Sequence, residues 1–209
     1  MDLQNYLLFI TASIILCAVP GPDMILLLTR SVAQGRHAGF IAALGCNTGN
    51  YVHLFAAVVG LSAIIAASTY AFLAIKLVGA VYLIYVGVTT LLAKDNPLAI
   101  NADGQHHISH RACFWQGFWS DVLNPKVAMF YLAFFPQFIT PGDNTLMQLL
   151  VLGFTLNTIG LVVALIVVAG ASAFTSRLRR DPRIAAMMTK ALGVVFVALG
   201  VRLATEKVL

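Results

Sequence analysis

Apolar residues in this chain arrive in runs long enough to cross a lipid bilayer, and this feature limits what the chain can fold into. A helix needs about 20 apolar residues to traverse the hydrocarbon core. Such runs extend over Tyr6 to Leu28, Ile41 to Ala67, Tyr70 to Leu92, Ala112 to Ile139, Thr145 to Phe174 and Met187 to Ala204. Backbone polar groups in lipid must be satisfied within their own segment, so the runs are expected as helices and not as sheet. The predicted fold class is therefore all-α: a polytopic membrane protein with six transmembrane helices, forming one transmembrane domain over residues 1–209. Charge content agrees. Lys, Arg, Asp and Glu make up 10% of the chain, against about 25% in a soluble domain, too little to cover a water-facing surface. The net charge of +5 is scattered and not gathered into a stripe, which excludes a nucleic-acid partner. Lipid is the expected surroundings.

The N-terminal residues Met1 to Gln4 carry no basic segment, so the first run is expected as a retained span and not a cleaved signal. Cys17, Cys46 and Cys113 stand alone in apolar runs; neither a disulfide framework nor a zinc site is expected. His106-His107-x-x-His110 in the longest polar connection offers two imidazoles at i and i+3, but without a completing ligand set no metal is expected there. The chain has no phosphate-binding glycine loop and no H-E-x-x-H or Gly-x-Ser-x-Gly turn, so no cofactor, no ATP-driven step and no enzyme activity are expected.

Basic residues set the orientation. With six crossings, the connections 29–40, 93–111 and 175–190 share one side and hold nine of them: Arg30, Arg36, Lys94, Arg111, Arg177, Arg179, Arg180, Arg183 and Lys190. The opposite side has Arg202 and Lys207 only. Both termini are thus expected away from the cytoplasm.

The two halves resemble each other. Lys76-Leu-Val-Gly79-Ala-Val-Tyr-Leu matches Lys190-Ala-Leu-Gly193-Val-Val-Phe-Val, and Leu44-Gly45 in the second run matches Leu152-Gly153 in the fifth. The first run is broken at Pro20-Gly21-Pro22 and the fourth at Asn124-Pro125. The shared order favours duplication: repeat one at 1–94, a connection at 95–110 and repeat two at 111–209. Three spans per repeat force opposite insertion, an arrangement common in secondary transporters. The alternative is that glycine and aromatic residues match freely in any membrane helix.

The broken helices hold the chemistry. Proline removes a backbone donor, and carbonyls freed this way can act as ligands at the bilayer midplane. Pro20, Gly21, Pro22, Asn124 and Pro125, with Lys126, are the candidate substrate-binding residues. Asp23 and Asp121 lie on the cytoplasmic side of their respective breaks, and two carboxylates sharing one partly dehydrated vestibule form a proton-accepting site. Asp23 could instead pair with Arg30 at the interface, and Lys126 could lock the two helices through an acid. Gly45, Gly49 and His53 recur every four residues and share one helix face; the glycines suit close helix approach. His53 is either a proton relay or a neutral structural group. Gly79, Gly153 and Gly193 are further helix-packing candidates, Asn157 and Gly160 extend the Gly153 stripe, and the stripes leave dimerisation of the chain open. Tyr82 and Tyr85 either line a pathway or pack.

Pro20-Gly21-Pro22, Arg36-x-x-Gly39-Phe40 leading to Gly45-x-x-x-Gly49-x-x-x-His53, Lys76-x-x-Gly79-Ala80-x-Tyr82-Leu83-x-Tyr85-x-Gly87, and Asn124-Pro125-Lys126 followed by Phe134-Phe135-Pro136-Gln137-Phe138 together resemble the LysE/RhtB amino-acid exporters. The likeness runs over nearly the whole chain and is closer to the homoserine/threonine branch. It implies a bacterial inner-membrane exporter of a small neutral amino acid, driven by proton antiport. Export of basic amino acids, or a membrane enzyme or assembly factor without transport, are the alternatives. The orientation reading has a direct check: a reporter active only in the periplasm is expected to work when fused after Leu209 and to stay silent when inserted between residues 95 and 110.

Overall fold

The computed structural model describes residues 3–18, 21–67, 69–92, 107–139, 144–180 and 182–205, and every regular element among them is helical. In chain order these are α1 (Leu3–Ala18), α2 (Pro22–Gln34), α3 (Arg36–Ala67), α4 (Thr69–Leu92), α5 (His110–Val122), α6 (Pro125–Phe134) ending in a 3-10 turn (Phe135–Phe138), α7 (Thr145–Ala169), α8 (Ala171–Arg180) and α9 (Pro182–Thr205). The first apolar run is α1 plus α2, whose axes differ by 51°. The fourth is α5 plus α6, parted by Leu123 and Asn124.

Two of the expected polar connections are mostly helix. In 29–40, α2 runs on to Gln34 and α3 begins at Arg36, so the reversal falls on Gly35 alone. Its φ of 89° is open to glycine and strained for other L-residues. In 175–190, α8 continues to Arg180 and α9 starts at Pro182, a proline suited to a first helical position. The fourth run starts earlier than its apolar stretch, at His110, because the Ser109 hydroxyl accepts the Ala112 N–H at 3.2 Å and caps the helix.

Outward faces are apolar. Phe55, Val78, Val81, Tyr85, Ile166 and Val194 are exposed, as lipid-facing side chains are, and among the described residues α7 is long and apolar enough to cross, as is the bent pair of α1 and α2 taken as one span. Inside, glycines let backbones touch, because helices in lipid associate through van der Waals packing. α5 lies against α3: a Cβ on Gly45 would strike the Phe114 carbonyl, and one on Gly117 the Ala42 carbonyl. One on Gly49 would lie 2.7 Å from the Phe118 carbonyl. α4 pairs with α9 in the same manner, Gly87 against Val197 and the Gly193 carbonyl, Gly200 against Ile84 and the Ala80 carbonyl. Gly79 is buried on α4. α7 meets α3 antiparallel at two places, Leu54 over Gly153 and Val168 over Gly39. Gly87, Gly117 and Gly200 do as much close packing as the glycines singled out from the sequence.

Past the breaks, on the side of α1's N-terminus and α6's C-terminus, an aromatic cluster fills the space between helices. Phe9 lies 5.6 Å from Phe134, 5.6 Å from Phe135 and 5.2 Å from Phe138, centroid to centroid. Phe130 and Phe134 approach to 4.2 Å. Leu149, Leu152 and Leu156 of α7 close the cluster. Replacing Gly45 or Gly117 by leucine should separate α3 from α5 and cost at least about 1–3 kcal/mol of overpacking. Thermal unfolding in detergent is expected to show this loss, with Gly60→Ala, which meets nothing within 4 Å, close to wild type.

Candidate functional site

Each proline in the two breaks strips one carbonyl of its partner, since the residue four positions earlier loses its donor. Pro20 deprives Leu16 and Pro125 deprives Asp121. Side chains from elsewhere in the chain donate to the carbonyls of Leu16 and Asp121, and that of Asp121 also accepts the Asn124 N–H at 2.9 Å. The Lys126 ammonium donates to the Leu16 carbonyl at 3.1 Å. The His53 Nε2–H donates to the Asp121 carbonyl at 2.9 Å, which fixes that tautomer because a carbonyl only accepts. Freed carbonyls were expected to act as substrate ligands; these two are occupied by protein donors. Pro20 itself lies outside the described residues, as does His106.

The restarts are built alike. α2 begins with Gly21 and Pro22, α6 with Asn124 and Pro125. Asn124 caps α6 through its side-chain oxygen, which accepts the Lys126 N–H at 3.0 Å. Its amide nitrogen faces the other way and donates to Asp23 at 2.7 Å. Ser120, one turn earlier, donates to the second Asp23 oxygen at 2.6 Å. Asp23 stands in the first turn of α2, where the helix dipole favours a carboxylate. Lys126 stands in the first turn of α6, where the dipole opposes a cation, and its ammonium is within 3.4 Å of where a Gly21 Cβ would sit.

Asp23 therefore pairs with α5, and Arg30 is engaged elsewhere. The buried Arg30 donates to Gln116 at 2.8 Å and Gln34 at 2.9 Å, and Gln34 donates to the Ile108 carbonyl at 2.9 Å. Gln116, Ser120 and Asn124 recur at every fourth residue, a polar stripe on α5 that answers Asp23 and Arg30 on α2. Asn124 was a sequence candidate; Gln116 and Ser120, which its spacing makes readable, were not.

Asp121 is different. It is 4% exposed, and its Oδ2 has no hydrogen-bond partner among the described residues. His53 Nε2 is 3.9 Å away. Burying a carboxylate oxygen unpaired is costly. Asn50 Oδ1, the Tyr131 hydroxyl and both polar atoms of the Asn157 amide are likewise buried and unpartnered among the described residues. Tyr131 stacks on His53, centroids 6.1 Å apart.

Of these groups, Asp121 and Asn50 line a cavity with about 820 Å³ of empty space, its open mouth included. Asp23, Asp121, Asn124 and Lys126 line its polar end, with Gly21, Asn47 and Asn50 beside them. Leu27, Ala43, Cys46, Val163, Ala164 and Val167 line an apolar lobe. The structure thus brings together Gly21, Asp23, Asp121, Asn124 and Lys126, and places His53 behind Asp121. Pro22 and Pro125 open their helices. Gly45, Gly49, Gly79, Gly153 and Gly193 lie outside the cavity lining. Tyr85 is 63% exposed and faces away from it. His110 stacks on His37 with nitrogens 3.3 Å apart, and no cluster of three or more metal-ligating residues occurs among the described residues.

The chain is similar to three bacterial proteins along almost its entire length. It is 30% identical to a Vibrio cholerae protein named "uncharacterized membrane protein", covering 99% of this chain and 100% of that one. It is 28% identical to the membrane protein YrhP of Bacillus subtilis, covering 96% and 98%, and 29% identical to the leucine efflux protein of Klebsiella pneumoniae, covering 96% and 95%. No solved structure matches it. The model of the LysE type translocator family matches residues 14–207. With two broken helices joined through Asp23 and Lys126, in a body whose described elements are all helical, the chain belongs to the LysE type translocators, polytopic membrane proteins of bacteria.

Proposed function

We propose that this protein is a secondary carrier, not an enzyme, that exports neutral amino acids across the bacterial inner membrane in exchange for protons. The observation that carries the reading is the cavity's polar end, where a carboxylate oxygen with no partner among the described residues (Asp121) and an ammonium (Lys126) face one space. An amino acid is a zwitterion, and that pair complements it. Its amino group would meet Asp121 and Asn50, and its carboxylate Lys126 and the positive first turns of α2 and α6. The name of the Klebsiella relative, a leucine efflux protein, supports amino-acid export. The far lobe is apolar, which favours a neutral side chain over a second ammonium.

Both termini are proposed periplasmic. The aromatic cluster around Phe9 and Phe134 then seals the periplasmic half, and the cavity stands in the cytoplasmic half, where an exporter loads. Two inverted three-helix repeats rocking about the joined breaks would open the other side. The antiparallel α4–α9 pair supports the repeat: residues 80–87 of α4 meet 193–200 of α9, close to the register in which Gly79 matches Gly193. The proton is proposed to ride on Asp121, with His53 as relay and Asp23 holding the α5–α6 break.

Reconstitution into vesicles with a pH gradient tests this. Wild type should drive amino acid against its gradient. Asp121→Asn should still exchange labelled for unlabelled amino acid yet lose gradient-driven movement; gradient-driven movement at the wild-type rate would overturn the proton role. Lys126→Gln should weaken substrate binding by about tenfold or more, the loss expected for a charge-assisted hydrogen bond, read as the concentration giving half-maximal exchange.

A further inference from the structure

Gly160 belongs to the helix face that carries Gly153, yet it does different work. α3 and α7 pack closely at Leu54 over Gly153 and at Gly39 against Val168. A Cβ on Gly153 would strike Leu54, and one on Gly39 would strike Ser31 and approach Val168 to 3.0 Å. Gly160 lies midway between these contacts, where the helices part around the cavity. A Cβ there would meet only Cys17 Sγ, at an ordinary 3.8 Å. Nothing in the packing requires glycine at that point, and a helix interior disfavours it by about 1 kcal/mol relative to alanine. What the missing side chain leaves is room.

That room opens onto the cavity, which Gly160 lines. Asn47 and Asn50 of α3 look onto it beside the unpartnered, buried Asp121, while Ala43 on α3 and Ala164 on α7 continue into the apolar lobe. Ala43 and Asn50 are seven residues apart on one helix, about 10 Å along its axis. A zwitterion held at the polar end therefore projects its side chain past Gly160.

We propose that Gly160 is the specificity-determining residue of this carrier, admitting aliphatic side chains of leucine or methionine size into the lobe bounded by Ala43 and Ala164. This rests on the amino-acid reading of the cavity given above. A methylene that no longer fits a hydrophobic pocket changes discrimination by about tenfold or more, so the effect should grade with side-chain length.

The test is exchange by wild type, Gly160→Ala and Gly160→Leu in vesicles, across alanine, 2-aminobutyrate, norvaline, leucine and methionine. In Gly160→Leu the ratio of leucine to alanine exchange should fall at least tenfold, and in Gly160→Ala it should fall in the same direction by a smaller factor. An unchanged ratio, or an equal loss for every side chain in protein with wild-type thermal stability, overturns the proposal. Should Gly160→Leu fail to insert, Gly160→Ala decides alone, because its Cβ fits without displacing Cys17. If wild type exchanges amino acids with no preference for size, the role of Gly160 falls while the carrier reading stands. If wild type exchanges none, the carrier reading itself has failed.

Discussion

Two carbonyls govern this structure. A helix crossing lipid must satisfy its own backbone, and proline at positions 20 and 125 denies that to Leu16 and Asp121. Side chains able to carry charge, Lys126 and His53, donate to these two carbonyls, in the second case beside the Asn124 N–H. Lys126 begins α6 and reaches the end of α1; His53 sits in the middle of α3 and reaches the end of α5. The breaks in two separate helices are thereby tied to each other and to the central helix. Lys126 is held against its unfavourable place at a helix N-terminus, and the same arrangement leaves its charge beside the cavity.

The close contact of α3 with α5 makes the tie possible. Gly45, Gly49 and Gly117 remove the side chains that would hold the two backbones apart. With the backbones in contact, His53 reaches the last turn of α5 and Asp121 packs over Gly49. Packing and chemistry are one construction here: the glycines set how deeply Asp121 is buried, and burial leaves its outer oxygen without a partner among the described residues. The α2–α5 contact adds polar zips, Asp23 to Ser120 and Asn124, Arg30 to Gln116.

Much of this was legible before any coordinates. Composition and run length point to membrane helices, and proline with glycine marks both breaks. The period-four spacing of Gly45, Gly49 and His53 places them on one face. Helix ends were harder. Arg30, Arg36, His110 and the arginines of 175–190 read as loop because they are polar, whereas capping by Ser109 and a one-residue reversal at Gly35 let helices run through them. Gln116 and Ser120 share the period of Asn124, but their spacing alone does not tell a polar stripe that binds Asp23 and Arg30 from one that faces water. Gly153 and Gly160 share a face and a spacing, and only their surroundings separate a packing glycine from one that borders a cavity.

The sequence by itself determined that this chain lives in lipid, that it is helical, where two of its helices break and which ionisable residues accompany the breaks, since each follows from composition or from neighbours within a turn or two. Which group answers which was decided by tertiary structure alone. Lys126 and Leu16 are 110 positions apart and Asn124 and Asp23 are 101; no local pattern relates them. Their meeting depends on how closely helices approach and at what register, and in a bilayer that is set by the shapes of packed surfaces and not by any periodicity along the chain.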